Sequence, residues 1–150
     1  MRSLAVLALL AASTLAMAGP FGTLFAGERP ATVGTGTLAP CPGTPNCVAS
    51  RAADEVHHVA PIAFRGEAAA AMRRLADAAA ALPGARIVTS RPDYLYVEFA
   101  SRIIGFVDDF EAVPEASGAI HVRSASRLGR SDFGVNRARV EALRMAMAGG

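Results

Sequence analysis

Between Arg86 and Ser126 the chain alternates apolar and polar residues in short runs separated by tight turns, and this leaves few folds open. The runs are Arg86 to Ser90, Tyr94 to Ser101, Ile103 to Val113 and Ala119 to Ser126. Period-two alternation sends successive side chains to opposite faces of a strand. Arg91-Pro92-Asp93 and Ala116-Ser117-Gly118 read as turns. Parallel strands need crossovers of a dozen or more residues, so such short connections specify an antiparallel meander. Helical periodicity flanks the meander. Gly66 to Leu82 gathers Met72, Leu75, Ala79 and Leu82 on one face, with Arg73, Arg74 and Asp77 toward water, and Pro83-Gly84 stops it. Gly134 to Ala148 gathers Val140, Leu143 and Met147. The expected fold is an α+β two-layer sandwich, an antiparallel four- to five-stranded sheet with two helices on one face. His57 to Phe64 supplies the optional edge strand.

Two helices cover one face of a sheet. Leu95, Val97, Phe99, Ile120 and Val122 belong beneath them, which leaves Tyr94, Tyr96, Glu98, His121 and Arg123 on an open face. That mixture suits a partner surface and equally a solvated sheet face. Asp108-Asp109 interrupts the alternation, so one carboxylate must point to the side of Phe106 and Phe110. A buried carboxylate needs a partner, and Arg123 or Arg127 is the expected donor. The pairing would pin sheet register; acid/base or metal chemistry at the two carboxylates is the functional alternative.

The N-terminus bounds the compartment. Met1-Arg2 precedes an apolar run from Leu4 to Ala18, and Ala16-Met17-Ala18 fits signal-peptidase cleavage. The charge-free run continues to Gly27, long enough for a retained anchor, although Gly19-Pro20 interrupts it. Either reading puts the domain outside the cytoplasm, in the periplasm, soluble or held at the inner membrane. The chain therefore divides into a signal peptide or anchor start (1–18), a linker (19–38) rich in glycine and threonine after Glu28, and one domain (39–148). Cys41 and Cys47, the chain's two cysteines, most simply form a disulfide in an exported protein. A metal site using both thiolates with His57 and His58 is the alternative, without the spacing of a zinc knuckle. All fifteen basic residues are arginine, and the formal net charge of +2 is too small for a nucleic-acid partner. No cofactor is expected.

Charge is nonetheless polarised. Arg123 to Arg144 holds six arginines against Asp132 and Glu141, whereas Arg91 to Glu115 holds two arginines against six acidic residues. Ser124 to Gly134 mixes hydroxyls, arginines and glycines ahead of a helix, which is the composition of an anion site. The bland alternative is that Ser131 or Asp132 caps the helix while the arginines pair with the acidic strand. The candidate ligand-binding residues are Asp108, Asp109, Arg123, Ser124, Ser126, Arg127, Arg130, Ser131, Asp132, Asn136 and Arg137.

Four blocks carry a resemblance: Ala39 to Ser50 around the cysteines, His58-Val59-Ala60-Pro61-Ile62, Gly105-Phe106-Val107-Asp108-Asp109, and Val122 to Arg137. Together they resemble the family known as domain of unknown function 1499, over about Leu38 to Arg144. The resemblance implies an exported or membrane-anchored bacterial protein, with relatives targeted to plastids, and implies no activity. Phe110-Glu111-Ala112 departs from the family pattern, which has an aromatic after the glutamate.

The functional expectation is a non-enzymatic binding or accessory module of the cell envelope, with an arginine/serine site for an anionic small molecule or envelope component. One alternative is a scaffold that docks an envelope protein through the open sheet face. The other is a hydrolase using Ser126, His121 and Asp109. Against the last, the chain has neither a Gly-x-Ser-x-Gly elbow nor a His-Glu-x-x-His helix.

Overall fold

The computed structural model describes residues 25–102 and 104–149. Up to Leu24 the expected leader, with its expected cleavage site, lies outside the described residues. Among the described residues no helix is long and apolar enough to cross a membrane.

The elements run β1 (Cys47–Ala49), β2 (Ile62–Ala63), α1 (Ala68–Ala80), β3 (Ala85–Arg91), β4 (Tyr94–Ala100), β5 (Val107–Glu115), β6 (Ala119–Ser126) and α2 (Val135–Ala148). The sheet is antiparallel, ordered β1-β6-β5-β4-β3, with β2 on the same edge of β6 as β1. The meander and the two-layer α+β architecture are as the alternation requires. Two short additions complete the sheet. Cys47–Ala49, expected as part of a cysteine loop, pairs with Arg123 to Ala125, and only Ile62–Ala63 of the expected edge segment is strand. The Cys41–Cys47 disulfide forms, with an S–S distance of 2.07 Å, so the thiolate metal site does not exist.

The core lies between helices and sheet. Met72, Leu75 and Ala79 of α1 and Val140, Leu143 and Met147 of α2 pack on Leu95, Val97, Phe99, Phe110, Ala112, Ile120 and Val122. Leu75 and Leu143 are fully buried, and truncating either to alanine would cost about 2–5 kcal/mol. At the end of α1, Gly84 has φ +77° and its carbonyl accepts from Ala100 N at 2.9 Å, which joins the helix exit to β4.

The opposite face is covered as well. Residues 28–37, whose composition reads as a linker, lie across it. Val33 packs with Tyr94 and Tyr96, the guanidinium of Arg29 stacks 4.9 Å from the Tyr96 ring centre, and Gly34 N donates to Tyr94 Oη at 3.1 Å. Tyr94, Tyr96, Glu98 and Arg123 are buried, so this part of the face is not the open surface that counting helices leads one to expect. The covering strap uses backbone donors and an arginine more than apolar side chains, which is why hydropathy does not reveal it.

Candidate functional site

Strand register decides which polar groups meet. On the strap side, Tyr96 stands opposite Glu111, Glu111 opposite Arg123, and Glu98 opposite Asp109. Just beyond β6, Arg127 turns back over this row. Its Nε donates to Asp109 Oδ2 at 3.0 Å, and its Nη2 donates to Asp109 Oδ1 at 2.8 Å and Glu98 Oε1 at 2.7 Å. The Tyr96 hydroxyl lies 2.7 Å from Asp109 Oδ1 and 2.9 Å from Glu98 Oε1. Arg29 and Arg86 also donate to Glu98. Burial opposes ionisation of Glu98, yet the hydrogen bonds from Arg86, Arg127 and Tyr96 outweigh it and hold the carboxyl down at about 2. Burial likewise opposes the charge of Arg127, but Asp109 and Glu98 together raise it further above its ordinary value.

Deeper in the face, Glu111 is fully buried and accepts from the Tyr94 hydroxyl and from Gly34 N. Its other oxygen, Oε2, lies 3.7 Å from Arg123 Nη1 and, like Arg123 Nε, has no hydrogen-bond partner among the described residues. Burial pushes the Glu111 carboxyl up and the Arg123 guanidinium down. Burial pushes the hydroxyls of Tyr94 and Tyr96 up as well, reinforced by the carboxylates they touch.

A second network sits on the helix side. Asp108 shares the side of Phe110, as one of the two aspartates must, but its donor is neither Arg123 nor Arg127. Arg139, one turn into α2, donates from Nη2 to Asp108 Oδ2 at 2.7 Å and lies 4.3 Å above the Phe99 ring. Arg139 Nη1 reaches Asn136 Oδ1 at 2.7 Å and Ser124 Oγ at 3.0 Å. The Ser124 hydroxyl donates to Asn136 Oδ1 at 2.6 Å. Asn136 Nδ2 bonds Ser126 Oγ at 3.0 Å and Asp132 Oδ2 at 2.8 Å. Asp132 also accepts from the backbone of Gly134 and Asn136, both at 3.0 Å, and so closes the start of α2. Burial opposes the Asp132 charge, but these bonds hold its carboxyl below the ordinary value.

The eleven candidate residues therefore divide. Asp109, Arg123 and Arg127 join the strap-side network, while Asp108, Ser124, Ser126, Asp132 and Asn136 join the helix-side one. Arg137 donates to the carbonyls of His58 at 2.8 Å and Val56 at 2.9 Å. Arg130 and Ser131 are exposed on the loop between β6 and α2, and among the described residues Arg130 meets no hydrogen-bond partner. The loop is fixed from beneath by Asn46, whose Nδ2 donates to Gly129 O at 2.8 Å. Glu111, Arg139, Arg29 and Asn46 complete these networks without having stood out in the sequence. Two-residue spacing from Asp109 was signal enough for Glu111.

The proposed hydrolase constellation does not assemble. His121 lies five positions before Ser126, roughly 17 Å along a strand. Its Nδ1 meets Ser50 Oγ at 3.0 Å and its Nε2 meets Glu115 Oε1 at 3.2 Å, while Ser126 bonds Asn136 and Asp109 bonds Arg127 and Tyr96. Among the described residues no cluster of three or more histidine, cysteine or acidic side chains could hold a metal. A cavity of about 370 Å³ lies between Leu38–Cys41 and the turn Arg51–Asp54, and none of the eleven candidates lines it.

No curated protein and no solved structure matches the chain. A family model, "Protein of unknown function (DUF1499)", matches residues 37–147, which takes in the disulfide, the six strands, α1 and all but the last residue of α2. The chain belongs to the DUF1499 family.

Proposed function

We propose that this protein is a non-enzymatic accessory module of the cell envelope, exported to the periplasm, that holds an anionic envelope component at the β6–α2 loop. One observation carries the reading. Of the six arginines between Arg123 and Arg144, five are taken up by Glu111, Asp109, Asp108, Glu141 or backbone carbonyls, and Arg130 alone stands exposed without a partner among the described residues. A free guanidinium on a loop anchored by Asn46 and Asp132 is a pre-positioned donor for phosphate or carboxylate, with the Ser131 hydroxyl beside it. The buried arginines then serve as framework that holds the loop rather than as ligand contacts. Export is supported by the apolar leader and by a disulfide of the kind that oxidising compartments favour.

Thermal unfolding of the full chain with increasing inorganic phosphate or glycerol phosphate tests this. Anion at ten times its dissociation constant should stabilise by about 1.4 kcal/mol, which is a shift of several degrees in Tm. Arg130→Ala should abolish the shift and leave the ligand-free Tm unchanged. An equal shift in the variant, or none in the parent, refutes the reading.

A further inference from the structure

We propose that the loop end of the sheet docks on a bilayer surface bearing anionic lipid headgroups, a step that rests on the anion-holding reading and names the component held. Nine large apolar side chains are exposed among the described residues, and six of them, Phe25, Ile104, Phe106, Leu128, Phe133 and Val135, belong to three stretches at this end. The register brings those stretches together. Ala100 pairs with Val107 and Asp108 with Ser126, so the β4–β5 and β6–α2 connections leave the sheet side by side. The rings of Phe25 and Phe106 are 5.7 Å apart, and a Cβ on Gly27 would come within 2.9 Å of Leu128 Cγ. Residues 25–27 thus lie in the same patch.

Two observations choose the occupant. The apolar run that begins at Leu4 enters the described structure at Phe25, inside this patch, so whatever that run inserts into or leaves is brought against Phe106 and Leu128. The stretches that carry the patch also carry the exposed Arg102 and Arg130, against the one exposed carboxylate Glu28, and interfacial surfaces set aromatic and aliphatic tips into the headgroup boundary beneath such basic side chains. Phe133 is 96% exposed at φ +54°, a left-handed conformation that a phenylalanine rarely adopts. The turn presents its ring to solvent.

The chain has no tryptophan, so Phe133→Trp installs a single, selectively excitable indole at the tip, and Met145→Trp, about 15 Å further along α2, is the control. Both are made in the full chain, so that binding through the leader alone is common to the two. With phosphatidylglycerol vesicles the indole at position 133 should shift to the blue and be quenched by brominated acyl chains, and the control should not. Adding Arg130→Ala should weaken the vesicle affinity read from the quenching titration roughly fivefold, the effect of one basic residue at a charged surface. An unchanged spectrum at position 133, with phosphate stabilisation intact, overturns the membrane docking and leaves the anion reading standing. Equal quenching in phosphatidylcholine, or a blue shift without vesicles that depends on protein concentration, overturns the headgroup assignment in favour of apolar contact or a second copy. If neither the indole nor the Tm responds, both readings fall.

Discussion

Arg127 and Asp109 close on each other from the ends of neighbouring strands in a two-pronged contact, Nε to Oδ2 at 3.0 Å and Nη2 to Oδ1 at 2.8 Å. Their side chains are only 7% and 2% exposed. Such a pair is weak evidence that the ions stabilise the fold, because desolvation offsets much of the attraction. Removing one member is another matter. Arg127→Ala strands Asp109 and part of Glu98 in a buried face, and the expected loss is about 3–5 kcal/mol in urea unfolding, with an unchanged m-value. Arg127→Lys, a point charge that cannot bridge both carboxylates with the same fork, should fall between parent and alanine variant.

Gly84 and Gly129 separate conformational strain from steric clash. Both have positive φ, +77° and +85°. A Cβ at Gly84 would come within 2.2 Å of Ala100 O, whereas at Gly129 it meets open space. Gly129→Ala should cost about 1–2 kcal/mol for the left-handed backbone alone. Gly84→Ala should cost clearly more, because the β4 end must move and its bond from Ala100 N is at risk. Equal chemical midpoints for the two variants would show that the junction yields.

The sequence made the strand faces legible because alternation is a local signal. Leu95, Val97 and Phe99 lie under the helices, and Tyr94, Tyr96 and Glu98 lie opposite, by spacing alone. It also marked Asp108-Asp109 as a place where a carboxylate would be buried and need arginine. What spacing could not supply was the donor to Asp108, since whether Arg139 or a strand arginine reaches it depends on how α2 crosses the sheet. The strap failed for a different reason. Gly34 contributes a backbone N–H to Tyr94 and Glu111, a contact with no side-chain signature.

Acid should unfold the protein partly through Glu98. Its folded value of about 2 lies below the ordinary 4.5, so the unfolded chain takes up the proton first. The stability this carboxylate contributes is complete above about 4.5 and is lost as pH falls toward 2. Glu98→Gln should therefore be less stable than the parent at pH 7, and the two Tm curves should converge over that acidic window. Parallel curves down to pH 2 would mean that the arginines around Glu98 do not hold its charge.

Glu111 and Arg123 should behave as one unit. Glu111→Gln keeps an acceptor for Gly34 N and the Tyr94 hydroxyl but leaves the Arg123 guanidinium buried with its nearest countercharge gone. Arg123→Met does the reverse and strands a carboxylate whose Oε2 already lacks a hydrogen-bond partner. Each single change should cost about 3–5 kcal/mol, the penalty of an uncompensated buried charge. The double variant carries no stranded charge, and replacing both members of a buried pair is often close to neutral. It should therefore be more stable than either single variant, with a coupling well beyond the roughly 0.5 kcal/mol scatter of independent sites. Additive losses in the cycle would show that the 3.7 Å approach of Arg123 Nη1 to Glu111 Oε2 carries no interaction, and that each group is stabilised by other neighbours.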